Sequence, residues 1–273
     1  MLNPEEIAAM LLDEKSGMRE SIVRDVGTST VALFAISDSG AREPLIFSGT
    51  GSLVRVAKLH YILTAAHVWE ERLKSSRQVG ITLKEGIDHC YAIDTAAFTS
   101  FGLPRPREWN ERGPDLVFLQ VPRDKVGGIE VYRRFYPLDR NQPKQIVDGG
   151  VEVLILMGAP GEFGKYTPTH AQLNINGFFS DVNARVYKHG DFDYVDLQED
   201  RKFPGIPTNF GGVSGGGLWR VQVSGSPANA EINRQWSLEG VAFFQLDLPD
   251  SRVVIRCHGT ESIRAAMKLV PQG

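Results

Sequence analysis

A single serine stands among five glycines in the stretch NFGGVSGGGLW, residues 209–219. Glycine costs conformational entropy on folding, about 0.5–1 kcal/mol relative to alanine in regular structure, so it is expected where the backbone is strained or approaches a ligand. Three interpretations fit this pattern. Ser214 is a glycine-flanked nucleophile, the loop offers N–H groups to an anion, or the stretch is a flexible surface turn.

The segment GVSGG, residues 212–216, also satisfies the G-x-S-x-G pattern of the α/β-hydrolase nucleophile elbow. That elbow requires a helix directly after the serine, and here three glycines follow, each about 1 kcal/mol unfavourable in a helix. Asp247 or Asp250 followed by His258 would supply the acid and the histidine in the right order. The alternating strand–helix pattern of such a fold is absent, which argues against the elbow.

A base and an acid are also found upstream of Ser214. YILTAAHVW, residues 61–69, begins as a strand and presents His67 where the chain leaves the sheet, and RGPDLVFLQV, residues 112–121, places Asp115 at the start of another strand. A serine hydroxyl needs a neutral imidazole to take its proton, and the imidazole needs a carboxylate to fix its tautomer. His67, Asp115 and Ser214 supply one group of each type.

The elements that must position these groups are short β-rich runs separated by Gly, Pro, Ser or Asp, from about residue 28 to residue 258. Two groups of about six strands predict an all-β fold of two six-stranded antiparallel barrels. A helical extension (1–27) precedes the first barrel (28–125). A long, polar, weakly structured linker (126–145) leads to the second barrel and a C-terminal helix (146–273), for which Thr260 is the expected cap.

Composition narrows the function classes. The chain has 273 residues, of which 42% are hydrophobic, as in ordinary globular proteins. Its formal net charge is −3, so it lacks the positive field that would attract nucleic acid. The longest apolar runs, such as VEVLILM at 151–157, are too short to cross a bilayer, and the acidic N-terminus does not resemble a signal peptide. Two cysteines, Cys90 and Cys257, indicate no disulfide framework, and we expect a cytoplasmic protein. Neither cysteine lies in a metal-ligand spacing, so we expect no metal and no cofactor.

The order of these motifs resembles the chymotrypsin/trypsin-like serine proteases, in a disulfide-poor, bacterial-type form. The resemblance covers most of residues 28–270 and rests on FSGTGSLV (47–54), LTAAH (63–67), DLVFLQV (115–121), GGVSGG (211–216) and LEGVAFF (238–244). It implies that His67 is the general base, Asp115 its orienting partner and Ser214 the nucleophile. It also implies an oxyanion hole made by the N–H groups of Gly212 and Ser214.

Three positions depart from the family pattern. Val68 stands where secreted animal members have a disulfide-bonded cysteine, and Val213 replaces the aspartate that pairs with a newly cut N-terminus in activated zymogens. Phe243 replaces the serine that commonly donates to the triad aspartate, so Asp115 needs another donor. SIVRD, residues 21–25, looks like the start of an activated protease, but without a carboxylate at 213 we expect no activating cleavage there.

The same resemblance implies a pocket for the substrate residue before the cut. Its walls are Thr208, Asn209 and Phe210, with Thr208 as the floor, together with the strand Phe243, Phe244 and Gln245. A buried cation without a partner is costly, and Thr208 offers only a hydroxyl. We therefore expect small or medium uncharged side chains in the pocket.

Taken together, the motifs predict a serine endopeptidase that acts on a protein or peptide substrate through an acyl-enzyme. Two alternatives stay open at this point, a catalytically silent binding module on the same fold and a serine esterase. If activity is controlled, we expect an activating protein partner to order the segment KFPGIPTNFGG, residues 202–212, which carries part of the oxyanion hole.

Overall fold

The computed structural model describes residues 4–37, 46–83, 90–103, 111–140, 151–166, 171–180, 184–225 and 232–271. Strands dominate this part of the chain, and helices lie mainly at its two ends. The α-helices are α1 (Pro4–Leu12), α2 (Met18–Gly27), α3 (Ala66–Val68, continued by a π-helical turn Trp69–Leu73), α4 (Arg123–Glu130) and α5 (Thr260–Met267).

The strands form two large sheets and one small hairpin. The first sheet contains β1 (Thr30–Ile36), β2 (Ile46–Val56), β3 (Leu59–Thr64), β4 (Gln78–Ile81), β5 (Tyr91–Asp94), β6 (Thr99–Gly102), β7 (Val117–Gln120) and β8 (Tyr136–Pro137). The remaining strands are β9 (Val151–Gly158), β10 (Lys165–Tyr166), β11 (Ala171–Gln172), β12 (Asn176–Ser180), β13 (Arg185–His189), β14 (Phe192–Asp200), β15 (Gly217–Gly225), β16 (Ile232–Asp247) and β17 (Arg252–Gly259).

The sheet topology confirms the predicted all-β class with two antiparallel sheets and helices at both ends. The first sheet runs β5-β4-β1-β2-β3-β7-β6, and the second runs β12-β9-β15-β16-β17-β14-β13. One of the two sheets curls into a half-barrel. The sheets hold eight and seven strands rather than six each, partly because β8 adds to β2 in the one parallel pairing within the described ranges.

A shared apolar core joins the two sheets. β1 is buried on both faces, because Val31 and Leu33 pack into the first sheet's interior while Ala32 and Phe34 pack against Ala159 of the second half. A strand buried on both sides reads as a continuous apolar run, as TVALFAI does. The active-site candidates therefore lie on two sheets held against each other by burial of apolar side chains.

The N-terminal extension contains two helices where the sequence analysis expected one. Helix α1 begins at Pro4, and its residues Ile7 and Leu11 are buried. Helix α2 was missed, although its buried residues Ile22 and Val26 follow an i, i+4 spacing. Both helices contact β9, and their buried residues belong to the same core, so the extension is part of the fold.

The linker is more ordered than predicted, which corrects that interpretation for its described part. Helix α4 covers its beginning with Val126 and Ile129 buried on one face, and residues 141–150 lie outside the description. Two glycines discourage helix in isolation, but Gly128 faces the ring of Tyr91, where a Cβ would lie 2.6 Å from the hydroxyl oxygen. Tertiary packing overrides local propensity here.

The C-terminal helix is present, but its predicted cap is wrong. Thr260 is the first helical residue. Two main-chain N–H groups of the first turn, which have no acceptor within the helix, donate to the carboxylate of Asp193 from β14. That carboxylate accepts from the main-chain N–H groups of Glu261, at 3.0 Å, and Ser262, at 2.7 Å. A buried anion at a helix N-terminus is stabilised by those donors and by the helix dipole.

Candidate active site

Ser214 lies in a tight loop directly before β15. Gly212 and Gly215 have φ values of 97° and 87°, a backbone region that side chains rarely adopt. A Cβ on Gly212 would lie 2.2 Å from Cε1 of Phe47 and 2.8 Å from the carbonyl oxygen of Ala159. One on Gly215 would lie 2.0 Å from the carbonyl oxygen of Thr50. The glycines are thus required by backbone conformation and by close packing, and a flexible surface turn does not describe this loop.

Both sheets hold the loop in place. Thr50 of β2 donates its hydroxyl to the Gly212 carbonyl at 2.7 Å and its N–H to the Ser214 carbonyl at 2.9 Å. From the other side, Gly215 N–H donates to the carbonyl of Ala242 in β16 at 2.7 Å. The main chain on either side of the serine is therefore fixed by β2 of the first sheet and β16 of the second.

His67 and Asp115 make a two-point contact. His67 lies in the short helix after β3, and Asp115 lies two residues before β7, fully buried. His67 Nδ1 is 2.6 Å from Oδ2 of Asp115, and the main-chain N–H of His67 donates to Oδ1 at 2.8 Å. An ionised carboxylate only accepts, so Nδ1 carries the proton in the neutral ring and Nε2 is left as the basic nitrogen. The imidazole side chain remains about one-fifth exposed.

Gly49 of β2 lies between the short helix that carries His67 and the loop that carries Ser214. A Cβ at this position would lie 2.8 Å from Cγ2 of Val68 and 3.0 Å from the carbonyl oxygen of Ser214. The side chain of Val68, the residue after His67, and the main chain of Ser214 therefore both crowd the space that a side chain at Gly49 would fill. The structure brings these two predicted site residues to the same small region, although they are 147 positions apart in the sequence.

The peptide units before Gly212 and Ser214 are held from their carbonyl sides. Gly161 N–H donates to the Gly211 carbonyl, and Gly216 N–H donates to the Val213 carbonyl, both at 2.8 Å. In a trans peptide the N–H points opposite to the carbonyl. Within the described residues, neither the N–H of Gly212 nor that of Ser214 has an acceptor. Two oriented donors are thus available for a ligand oxygen.

A cavity of about 200 Å³ opens beside Ser214. Among the residues that the structure describes, its lining has no charged side chain and consists of Asn209, Phe210, Gly211, Val213, Ser214, Ala242, Phe243, Phe244, Gln245 and Ile255. Five of the six predicted pocket residues are in this set, whereas Thr208 is not. Ile255 is a wall residue that could not be predicted from the sequence, because its inward direction depends on the register of β17.

Thr208 is occupied with another partner. Its hydroxyl donates to Glu162 at 2.7 Å, and the main-chain N–H groups of Thr208 and Asn209 donate to the same carboxylate. These hydrogen bonds lower the pKa of Glu162. Thr208 therefore ties the loop before Ser214 to the turn Gly161–Phe163, and the lining of the cavity starts one residue later.

His258 of β17 was considered from the sequence only as the histidine of the rejected nucleophile elbow. It is fully buried, and its Nε2 accepts the main-chain N–H of Asp115 at 3.0 Å. Its ring stacks on Phe243 with centroids 4.1 Å apart and an interplanar angle of 15°. Only its position after a β-rich run hinted at burial, and nothing local indicated that it would meet Asp115.

A larger groove of about 1060 Å³ lies elsewhere, between α2 and the strands β9 and β12. None of the predicted site residues lines it. Within the residues described, no group of three or more His, Cys, Asp or Glu side chains is arranged to hold a metal ion. Both cysteines are free, and no helix in the described ranges is long and apolar enough to span a membrane.

Comparisons with known proteins add little to this geometry. No protein-family model matches the chain, and no curated protein matches it. Among solved structures, 166 chains match. One is from work on how aromatic interactions drive the coupled folding and binding of the intrinsically disordered Sesbania mosaic virus VPg protein. It is 12% identical, covers 89% of this chain and 91% of its own, and has a TM-score of 0.44. A likeness at that level carries no argument about function.

Proposed function

We propose that this protein is a trypsin-like serine endopeptidase with the triad His67, Asp115 and Ser214. The observation that carries the proposal is the two-point contact between the buried Asp115 carboxylate and His67, with Nδ1 and the main-chain N–H both donating. That contact fixes the ring and its tautomer, so Nε2 is the basic nitrogen. This is the condition a serine nucleophile imposes on its base.

In the proposed reaction, Ser214 Oγ attacks the substrate carbonyl carbon while its proton passes to His67 Nε2. The carbonyl oxygen becomes an oxyanion, which accepts from the N–H groups of Gly212 and Ser214. His67 then gives the proton to the leaving amine as the C–N bond breaks, and an acyl-enzyme remains. Water attacks that ester, its proton again goes to Nε2, and the carboxylic acid leaves as the Ser214 hydroxyl is restored.

The surroundings of Ser214 support a peptide rather than an anion as the ligand. The cavity of about 200 Å³ has an apolar lining with two amide side chains, Asn209 and Gln245, and no cation. A loop that binds a phosphate or a carboxylate would be expected to add a cationic side chain to its N–H groups. We infer that an uncharged substrate side chain enters the cavity while the two N–H groups receive the carbonyl oxygen.

The test is covalent labelling with a fluorophosphonate probe, read by intact mass and by mapping the labelled peptide. We expect one adduct on Ser214 in the full chain and none in Ser214→Ala or His67→Ala, both still folded. An absence of labelling in the folded wild-type protein would favour a silent binding module. Matched peptide and ester substrates then separate a peptidase from an esterase, because a true peptidase cleaves the amide series at a measurable kcat.

A further inference from the structure

A buried histidine contacts the main chain of Asp115, whose carboxylate contacts His67. His258 Nε2 is 3.0 Å from the main-chain nitrogen of Asp115, whose N–H is the donor. A ring nitrogen that accepts a hydrogen bond is unprotonated, so the neutral imidazole of His258 carries its proton on Nδ1. The edge of the ring also fills the space beside Gly113, where a Cβ would lie 2.8 Å from Nε2.

The environment of His258 keeps the ring neutral and immobile. Phe243 stacks on one face, and Tyr194 and Phe192 contact the ring with centroids 5.4 and 6.0 Å away. Burial lowers the pKa of His258 to about 4, while the nearby carboxylates of Asp115 and Asp193 act in the opposite direction. Within the described ranges, these two acids and the Tyr194 phenol are the titratable groups that face the ring. Above about pH 5 the acceptor at Nε2 is therefore present.

Nδ1 of His258 makes no hydrogen bond with the described residues, although the atom is buried. A buried N–H without a partner is destabilising, so an apolar side chain of similar shape would serve packing better. A histidine at position 258 supplies an acceptor for the Asp115 N–H, and an apolar residue would not.

We propose that His258 is a positioning residue that fixes the main chain of Asp115 and thereby holds its carboxylate against His67. The Asp115 N–H is anchored by β17 while Oδ1 and Oδ2 receive the two donors of His67. The aspartate is thus held from both ends, by its amide and by its carboxylate. The expected effect of His258 on kcat rests on the proposed function, whereas its hydrogen bond to Asp115 is independent of that function.

The first experiment uses the wild-type protein alone. Long-range ¹H–¹⁵N correlation spectra of the imidazoles report which nitrogen of His258 bears the proton. We expect the Nδ1–H form between pH 6 and 8, together with a far-downfield proton resonance from the His67 Nδ1–H bonded to Asp115. A proton on Nε2 of His258 would overturn the proposal without any variant being made.

Two variants then separate the acceptor from the packing. His258→Gln places an amide oxygen near the position of Nε2, whereas His258→Asn reaches only as far as Nδ1. We expect Gln to keep the His67 resonance and most of kcat. We expect Asn to lose the resonance and about 10²-fold in kcat with little change in KM, because a small misplacement of a triad group affects the transition state more than substrate binding.

The outcomes distinguish this inference from the proposed function. If the wild-type protein shows no peptidase or labelling activity, the proposed function fails, and the tautomer and the His67 resonance still test the positioning role. A folded Asn variant with an unchanged resonance and unchanged kcat overturns it. Should the Asn variant not fold, loss of the resonance in a folded Gln variant overturns it instead.

Discussion

Oδ2 of Asp115 lies 2.6 Å from Nδ1 of His67, while Oδ1 accepts the main-chain N–H of the same histidine at 2.8 Å. One carboxylate thus controls both where the histidine residue lies and how its ring is turned. Because Asp115 is fully buried, this contact is shielded from water and from salt.

Asp115→Asn is expected to reduce kcat by about 10⁴-fold, because an amide N–H facing Nδ1 favours the wrong imidazole tautomer. Steady-state cleavage of a peptide that the wild-type enzyme accepts is the measurement. Asp25→Asn is the matched control, since Asp25 is a half-exposed aspartate on α2 that pairs with Arg234. A folded Asp115→Asn variant with kcat within tenfold of wild type would remove Asp115 from the triad.

Gly212→Ala is expected to lower kcat by about 10²–10³-fold through displacement of an oxyanion donor. The new Cβ meets Phe47 and the Ala159 carbonyl, so the loop has to move. Gly190→Ala is the control, because Gly190 also has a positive φ, of 59°, but no atom lies within 4 Å of its added Cβ. Similar losses of kcat in both variants would show that backbone strain alone, rather than the donor, explains the effect.

Substrates with an uncharged residue before the cut are expected to be preferred over those with Arg or Lys by about 10²-fold or more in kcat/KM. The part of the cavity lining that the structure describes holds no carboxylate, so an entering cation would lose its hydration without gaining a partner there. Peptides varied only at that residue test this. A strong preference for Arg or Lys would show that an acid from outside this lining reaches the cavity.

Glu199 of β14 is expected to make the protein less stable as the pH rises from about 4.5 to about 7. Burial raises its pKa to about 7, with partial opposition from Arg19. The unfolded chain ionises near pH 4.5, so the folded state is penalised progressively above that pH and fully above about 7. Glu199→Gln should stabilise the protein at pH 8, by up to about 3 kcal/mol, and have little effect at pH 4.

Urea unfolding of the wild-type protein and the Glu199→Gln variant at both pH values measures this difference. Glu5→Gln, at an exposed position in the first turn of α1, is the control and should give no comparable gain in stability at pH 8. An equal effect of Glu199→Gln at pH 4 and pH 8 would mean that Glu199 titrates at the same pH in both states.

A shortened chain that begins at Ile22 is expected to gain no activity. Ile22 is fully buried within α2, and Val213, buried beside Ser214, offers no carboxylate to a new ammonium group. Removal of α1 also strips Ile7 and Leu11 from the shared core, so the shortened chain should melt at a lower temperature. Peptidase assays and thermal melts of both chains provide the comparison, and a large rate increase specific to the Ile22 terminus would contradict it.

Control through residues 202–212 stays a prediction. Three main-chain N–H groups of that segment donate to side chains outside it. Those of Thr208 and Asn209 donate to the Glu162 carboxylate, and that of Phe210 donates to the Gln245 amide oxygen at 2.8 Å. These side chains are where an activating partner would have to act on the loop before Ser214.

Local sequence determined the elements whose signal is local. Alternating or continuous apolar runs such as TVALFAI and DLVFLQV indicated strands, because burial of one or both faces dictates which residues appear. The glycines around Ser214 indicated a constrained backbone, and positive φ at Gly212 and Gly215 explains them. The order of His67, Asp115 and Ser214 indicated the chemistry to look for.

The tertiary structure decided what depends on contacts between distant residues. Helix α4 forms despite two glycines because Val126 and Ile129 find a core, and α5 is capped by Asp193, 67 positions before Thr260. The anchor of Asp115 on His258 spans 143 positions. Hydrophobic periodicity and secondary-structure propensity do not predict such pairs. Each residue meets its partner only when the sheets have packed around it and excluded water.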